Sequence, residues 1–166
     1  MILLLDLDNV VRDAAWRDKI ANDEGWDAYH AQGINDFPVN EVIEMVRALD
    51  TAGWDIVAVT GCTDNYRDQT LKWLIQNEVP IDTLLMRKKG DFRPTTEVKL
   101  ELVSDIIIGK KYDTILMIDD RDDVCVAFRN MGITSLQCYK QTNYRPDAKV
   151  MKSKPVSTRV KQHDQR

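Results

Sequence analysis

Short apolar runs alternate with helix-like segments along this chain, and that alternation limits its possible folds more than any other feature. The helix-like segments place apolar residues at helical spacing, and two of them end near Gly53 or Gly132, as helices commonly do. Buried parallel strands connected by helices produce this order. We therefore predict an α/β fold, a three-layer doubly wound parallel sheet. The predicted strands are residues 2–7, 55–59, 83–86, 114–118 and 134–138, and the predicted helices are 39–49, 66–76, 98–108 and 124–131.

Domain limits follow from the charge pattern and from loop length. Residues 140–166 carry eight basic and two acidic side chains and few large apolar ones, so we predict a basic, extended or disordered tail after a single domain at 1–139. Residues 12–38 separate the first predicted strand from the first predicted helix and are too long for a simple connection. We predict that they form a small helical cap inserted after the first strand, over the functional site.

Composition excludes several classes of protein. The formal net charge of -4 argues against a surface built throughout to bind nucleic acid, and leaves a local basic patch as an option. Three cysteines without a CxxC pair predict neither a disulfide framework nor a zinc site, which fits a reducing cytoplasm. The N-terminal apolar run stops at Asp6 and is too short for a signal peptide or a membrane helix. We expect no export and no membrane partner.

Acidic side chains follow two of the predicted strands. Asp6 and Asp8 lie two residues apart at the end of the first strand and therefore share a face, while Asp119 and Asp120 follow the fourth strand. Sites in doubly wound sheets lie at the carboxyl ends of the strands, so neighbouring strands would bring these four carboxylates together. A hard dication would relieve their repulsion, and Mg²⁺ is the usual one where oxygen ligands meet a phosphate.

Two further groups suited to phosphate binding occur later in the chain. Thr60-Gly61 follows the second predicted strand and offers a hydroxyl and a backbone N–H group. Lys99 lies in the first turn of the helix that follows Pro94, where the helix dipole disfavours a cation, so an anionic partner nearby would explain it. Thr-Gly is also an ordinary turn sequence and lysine an ordinary surface residue, so each signal alone is weak.

Over residues 1–139 the chain resembles the haloacid dehalogenase (HAD) superfamily of phosphotransferases. The resemblance rests on the types and the order of six residues, Asp6, Asp8, Thr60, Lys99, Asp119 and Asp120. Within that superfamily the chain is similar to the 3′-phosphatase domain of phage polynucleotide kinase/phosphatase. The segments that carry this narrower similarity are 59–61, 67–73, 87–93, 98–99 and 118–121. The kinase half has no counterpart, because the sequence contains no GxxxxGK[ST] loop to hold ATP.

The resemblance implies a phosphatase mechanism that uses Mg²⁺ and an aspartyl-phosphate intermediate. Asp6 would be the nucleophile, and Asp8 would protonate the leaving alcohol and later deprotonate the attacking water. The metal would bind the Asp6 carboxylate, the backbone carbonyl of Asp8 and Asp119, with Asp120 supporting that shell.

The resemblance also implies a phosphate-binding group and shows two departures from it. Thr60 and the Gly61 amide would hold the phosphoryl oxygens, while Lys99 would balance their charge and orient the nucleophile. Asn9 stands where such proteins commonly have glycine, and asparagine tolerates the left-handed backbone of a tight turn. Cys62 stands where the polynucleotide phosphatases often have arginine, which removes one candidate phosphate contact.

Candidate contacts to the rest of the substrate lie in the predicted cap and in two basic segments. Trp26 belongs to a cap rich in aromatic residues, whose rings would stack on a base or pack the cap against the sheet. Basic side chains near the site would bind a nucleic-acid backbone or remain solvated. They are Arg67, Arg87, Lys88 and Arg93.

Three functions remain open on these grounds. The first is a Mg²⁺-dependent phosphomonoesterase that removes 3′-phosphates from nucleic-acid ends. The second is a nucleotidase with the same chemistry on free nucleoside or deoxynucleoside monophosphates. The third is a non-catalytic adaptor on a HAD scaffold that binds nucleic acid or protein through residues 140–166.

Overall fold

A computed structural model describes residues 1–109 and 112–138. The predicted boundary at residue 139 and the basic segment at 140–166 lie outside this description. The strands are β1 (Ile2–Leu5), β2 (Arg12–Asp13), β3 (Phe37–Pro38), β4 (Asp55–Thr63), β5 (Thr83–Arg87), β6 (Ile115–Asp119) and β7 (Thr134–Gln137). The helices are α1 (Asp18–Glu24), α2 (Trp26–Ala31), α3 (Asn40–Thr51), α4 (Arg67–Gln76), α5 (Thr95–Leu102), α6 (Ser104–Ile108) and α7 (Asp122–Asn130).

The main sheet has five parallel strands in the order β5-β4-β1-β6-β7. The chain runs outward from β1 through β4 to β5, then returns to the other side of β1 and continues to β7. The strand order therefore reverses between β1 and β6, and a doubly wound sheet binds its ligands beside this switch point. The predicted α/β class and parallel sheet are confirmed.

Helices cover both faces of the sheet because β1 is apolar on both sides. Successive side chains of a strand point to opposite faces, and all four residues of β1 are fully buried. Leu3 and Leu5 pack in one core with Ile43 of α3 and Trp73 of α4. The other two residues of β1 pack in a second core that includes Phe128 of α7. This is the predicted three-layer arrangement.

The insertion after β1 is helical, as predicted, and is closed at its base by a hairpin that the sequence did not predict. Helices α1 and α2 lie within it, and the antiparallel pair of β2 and β3 joins its two ends. Three side chains, from α4 and from the turn before it, donate four hydrogen bonds to the insertion. The Tyr66 hydroxyl donates to the Asp27 carbonyl (3.0 Å), Gln69 Nε2 to the carbonyls of His30 and Ala31, and Trp73 Nε1 to the Asp36 carbonyl (2.9 Å).

Two predicted elements differ from the structure by more than two residues at one end. Strand β4 continues four residues beyond its predicted end, because its pairing with β5 resumes at Thr63 after a register shift that begins at Thr60. The helix predicted at 98–108 begins earlier and is divided between α5 and α6 at Val103. Among the described residues, no helix has the length and apolar character needed to span a membrane.

Candidate active site

Three carboxylates meet where β1 and β6 end. Leu5 pairs with Ile118 in the parallel ladder, and the backbone N–H of Asp6 donates to the Ile118 carbonyl (2.9 Å). Asp119 is the last residue of β6 and Asp6 directly follows β1, so the two acids lie at the same register of neighbouring strands. Asp6, Asp119 and Asp120 each offer an oxygen atom, and these oxygens lie within 4.8 Å of one another. The predicted convergence is present for three of the four acids.

Lys99 of α5 bridges two of these carboxylates. Its Nζ lies 2.6 Å from Asp6 Oδ1 and 2.5 Å from Asp119 Oδ2, and the lysine is almost entirely buried. Burial would lower the pKa of Lys99, but the two carboxylates outweigh it and raise that pKa above its usual value. The anionic partner predicted for Lys99 is therefore this acidic pair. Lys99 is the fifth residue of α5, beyond the predicted first turn.

The remaining negative charge suits a bound cation. Burial raises the pKa of Asp6 well above its usual range, and Asp119 and Asp120 add to the shift while Lys99 opposes it. Burial also raises the pKa of Asp120. Three carboxylates against one ammonium leave excess negative charge in a buried place, where charge is costly unless paired. An all-oxygen donor set of this kind matches the preference of Mg²⁺.

Asp8 points away from this cluster, into a buried network of charges. Its Oδ1 accepts from Arg12 Nε (2.5 Å) and Arg17 Nη2 (3.2 Å), and Arg17 also pairs with the buried Asp36. Burial alone would raise the pKa of Asp8, but the two guanidinium groups hold it well below its usual range. Burial raises the pKa of Asp36 to about 6, and both arginines oppose that shift. Two arginines of the insertion thus favour the carboxylate form of Asp8.

Sequence reasoning missed Arg12, Arg17 and Asp36. They are dispersed over residues 12–36, and their pairing depends on the hairpin of β2 and β3. Aromatic contacts reinforce the network, with the Arg17 guanidinium 4.1 Å from the centre of the Tyr29 ring. The one local signal was the presence of arginines in a segment that also contains aromatic residues.

Thr60 and Gly61 lie on β4, beside β1, at the same edge of the sheet. The Thr60 hydroxyl oxygen accepts from the backbone N–H of Cys62 (3.1 Å) and is buried. Gly61 faces the first residue of α5, where an added Cβ would lie 3.1 Å from Thr95 Cγ2. A glycine at this position therefore allows α5, which carries Lys99, to approach the strand.

Arg87 holds the loop between β5 and α5 through its guanidinium group. It donates to the carbonyls of Gly61 (2.9 Å), Asp91 (3.1 Å) and Arg93 (2.7 Å), and to Thr95 Oγ1 (2.9 Å). These acceptors connect the end of β4 to the start of α5. Arg87 therefore stabilises the loop between β5 and α5. Its contact with substrate stays a prediction.

We expect Arg87→Met to lower the free energy of unfolding by about 2 kcal/mol, because partly buried carbonyls lose a charged donor. Urea unfolding at neutral pH measures this loss. Arg93→Met is the matched control on the same loop, since Arg93 pairs with Asp91 and Glu101 at the surface. Equal stability of the two variants would contradict the supporting role of Arg87.

The other predicted substrate residues lie at the surface. Arg67 Nη2 donates to the Leu84 carbonyl (3.1 Å), and Lys88 pairs with Asp64 (3.3 Å) with its side chain largely exposed. Trp26 is 66% exposed and contacts the ring of Tyr29 edge-on, with ring centres 5.2 Å apart. Their contacts with substrate stay predictions.

Comparison with known proteins identifies the class and then the family. A doubly wound sheet with paired acids, lysine and threonine at its switch point defines a HAD-type phosphatase, and a family model described as the polynucleotide kinase PNKP phosphatase domain matches residues 2–144. The chain belongs to this family of HAD phosphatases. No curated protein sequence matches the chain.

Solved structures agree with this fold. A chain in a structure of the Pnkp1/Rnl/Hen1 complex is 23% identical with a TM-score of 0.71, over 84% of this chain and 46% of that one. A chain in the Pnkp1/Rnl/Hen1 RNA repair complex is 21% identical with a TM-score of 0.68, over 84% and 43%. A HAD family enzyme from Bacteroides thetaiotaomicron, in complex with magnesium and inorganic phosphate, is 14% identical with a TM-score of 0.50, over 87% and 96%. The chain thus spans less than half of the first two.

Proposed function

We propose that this phosphatase removes 3′-phosphates from nucleic-acid ends by way of an aspartyl-phosphate on Asp6. The observation that carries the chemistry is the buried group of Asp6, Lys99 and Asp119 at the switch point of the sheet. The observation that carries the substrate is membership of the PNKP phosphatase-domain family.

Mg²⁺ is the metal that this site fits. The carboxylates of Asp6 and Asp119 and the backbone carbonyl of Asp8 would hold it, with Asp120 in support. When bound, the ion neutralises charge on the phosphoryl group. Magnesium and phosphate occur together in the HAD enzyme from Bacteroides thetaiotaomicron, which supports this assignment.

The two transfer steps use Asp6 and Asp8. An Asp6 carboxylate oxygen attacks phosphorus, the bond from phosphorus to the 3′-oxygen breaks, and that oxygen takes a proton from Asp8. Asp8 then removes a proton from water, whose oxygen attacks phosphorus and releases phosphate from Asp6. The first step requires the protonated form of Asp8, which the negative charge of a bound phosphate monoester favours. Arg12 and Arg17 hold the Asp8 side chain in place and favour the ionised form that the second step requires.

The phosphoryl oxygens are held by groups on two elements. The Thr60 hydroxyl already accepts from Cys62 N–H, which leaves its own proton to donate to a phosphoryl oxygen. The Gly61 amide adjoins it, and the Lys99 ammonium supplies positive charge beside the nucleophile.

Trp26 is the proposed stacking surface for a base next to the 3′-phosphate. Its ring contacts Tyr29, the Tyr29 ring lies against the Arg17 guanidinium, and Arg17 pairs with Asp8. A continuous set of contacts therefore leads from the exposed indole to the catalytic acid. The loop after β5 carries the exposed Phe92 and Lys88. These two side chains would contact the nucleotides of the substrate beyond that base.

We expect Trp26→Ala to raise KM for a 3′-phosphorylated oligonucleotide about tenfold, because a stacked base contributes roughly 1–3 kcal/mol. Turnover of p-nitrophenyl phosphate, which has no base, stays unchanged. Phe37→Ala removes an exposed ring elsewhere on the insertion and serves as the control. An equal effect of Trp26→Ala on both substrates would contradict the stacking role.

Phosphate release with Mg²⁺ tests the proposed substrate. A short oligonucleotide with a 3′-phosphate is compared with the same oligonucleotide carrying a 5′-phosphate and with 3′- and 5′-nucleoside monophosphates. The proposal is supported if kcat/KM is highest for the 3′-phosphorylated oligonucleotide among these four substrates. Preference for the monophosphates supports a nucleotidase, the alternative favoured by the buried Cys62 at the position where related phosphatases often have arginine. Absence of release from all four contradicts both.

The cysteines and residues 140–166 bear on the cellular compartment and on binding partners. The cysteines within the described residues are unpaired, which supports a reducing cytoplasm as the compartment. The adaptor function would depend on residues 140–166, which lie outside the described part of the chain. The complete set of Asp6, Lys99 and Asp119 favours catalysis over that function.

A further inference from the structure

Asn9 has an unusual position in the turn after β1. Its backbone is in the left-handed region, with a φ angle of 61°. Asparagine and glycine adopt this conformation more readily than other residues. Its side chain turns toward the acidic cluster, where Nδ2 donates to Asp120 Oδ2 at 3.0 Å. Asn9 is 8% exposed, and its hydrogen bond to Asp120 is partly buried.

The other end of the same carboxamide is unsatisfied. Asn9 Oδ1 is buried and has no hydrogen-bond partner. Reversal of the amide would not satisfy it, because two acceptor oxygens would then face each other at Asp120. A buried amide oxygen without a donor is costly, and such atoms in native proteins call for a ligand or a bound water.

We propose that Asn9 is a positioning residue of the metal site, an inference that rests on the proposed function. Nδ2 orients the Asp120 carboxylate, and Oδ1 accepts a hydrogen bond from a water ligand of the Mg²⁺ ion. Mg²⁺ retains several waters when proteins bind it, and one of these waters would supply the donor that Oδ1 lacks. The acidic cluster and the orphaned oxygen are separate observations, and the hydrogen bond from Asn9 to Asp120 places them side by side.

Asn9→Gly tests this role while preserving the turn, since glycine adopts φ 61 without strain. We expect Mg²⁺ affinity, measured by isothermal titration calorimetry without substrate, to fall about tenfold, as outer contacts to metal ligands typically contribute. At saturating Mg²⁺, kcat returns close to that of the unaltered protein. Asn130→Gly, at the exposed end of α7, leaves the affinity unchanged. Unchanged affinity in Asn9→Gly would overturn the inference.

Asn9→Asp provides an independent test of the direction in which the side chain points. The new carboxylate would repel Asp120, so the melting temperature without metal falls. Mg²⁺ relieves that repulsion only if residue 9 faces the metal site, so we expect a larger Mg²⁺-induced rise in melting temperature than in the unaltered protein. A rise of equal or smaller size would overturn the inference.

The proposed function and the role of Asn9 in metal binding can be contradicted separately. Failure of the unaltered protein to bind Mg²⁺ would remove the metal from the proposed function, and this inference with it. Normal Mg²⁺ binding that does not respond to Asn9→Gly would remove this inference alone. Weakened Mg²⁺ binding in Asn9→Gly, together with no hydrolysis of the oligonucleotide, would support the role of Asn9 and contradict the proposed substrate.

Discussion

Asp6→Asn is expected to lower kcat on a 3′-phosphorylated oligonucleotide by about 10⁴-fold or more, because loss of a covalent nucleophile removes the pathway itself. The fold should persist. Asparagine has nearly the same shape as aspartate, and Lys99 keeps its partner Asp119. Single-turnover phosphate release measures the effect, and thermal melting verifies the fold.

The control is Asp68→Asn, which makes the same chemical change on an exposed residue of α4. It should leave kcat unchanged. Turnover by Asp6→Asn within tenfold of the unaltered protein would show that another group attacks phosphorus. The same loss in both variants would indicate a general effect on the protein instead of a loss of the nucleophile.

Lys99→Met is expected to affect both stability and catalysis. Without the ammonium group, Asp6 and Asp119 are left buried and close together, and breaking a buried ion pair in this way costs about 3–5 kcal/mol. For a domain of this size the melting temperature should fall by roughly 10 °C. We also expect kcat to fall about 10²- to 10³-fold, as for other preorganised groups that stabilise transition-state charge.

Mg²⁺ separates the electrostatic cause from a loss of packing. The ion supplies positive charge to the same carboxylates, so it should raise the melting temperature of Lys99→Met more than that of the unaltered protein. Lys72→Met, on the exposed face of α4, is the control and should change neither property. An equal response to Mg²⁺ in Lys99→Met and the unaltered protein would contradict the proposed charge balance.

Much of the fold could be predicted because buried parallel strands have a strong local signature. The continuous apolar run at Ile2–Leu5 is buried on both faces, and the runs that form β5, β6 and β7 gave those strands to within one residue. The hairpin of β2 and β3 had no such signature. Strands of two residues have no periodicity, and this pair depends on contacts between the two ends of the insertion.

The centre of the site could also be predicted, because the carboxyl ends of neighbouring parallel strands meet at one edge of the sheet. Asp6, Asp119 and Lys99 meet as their order along the chain implied. The direction of Asp8 could not be predicted, since it depends on Arg12 and Arg17 from the folded insertion. Sequence alone could not distinguish a supporting arginine such as Arg87 from one that binds substrate.

The identity of the phosphorylated residue tests the central claim most directly. The protein is mixed with excess 3′-phosphorylated oligonucleotide and Mg²⁺, quenched in acid within one turnover, digested and mapped by mass spectrometry. We predict a single acid-stable, base-labile phosphoryl group on Asp6, absent from Asp6→Asn. Phosphate release without a phosphorylated peptide would contradict the assignment of Asp6 as the nucleophile. A phosphoryl group on Asp8 or on any other residue would also contradict it.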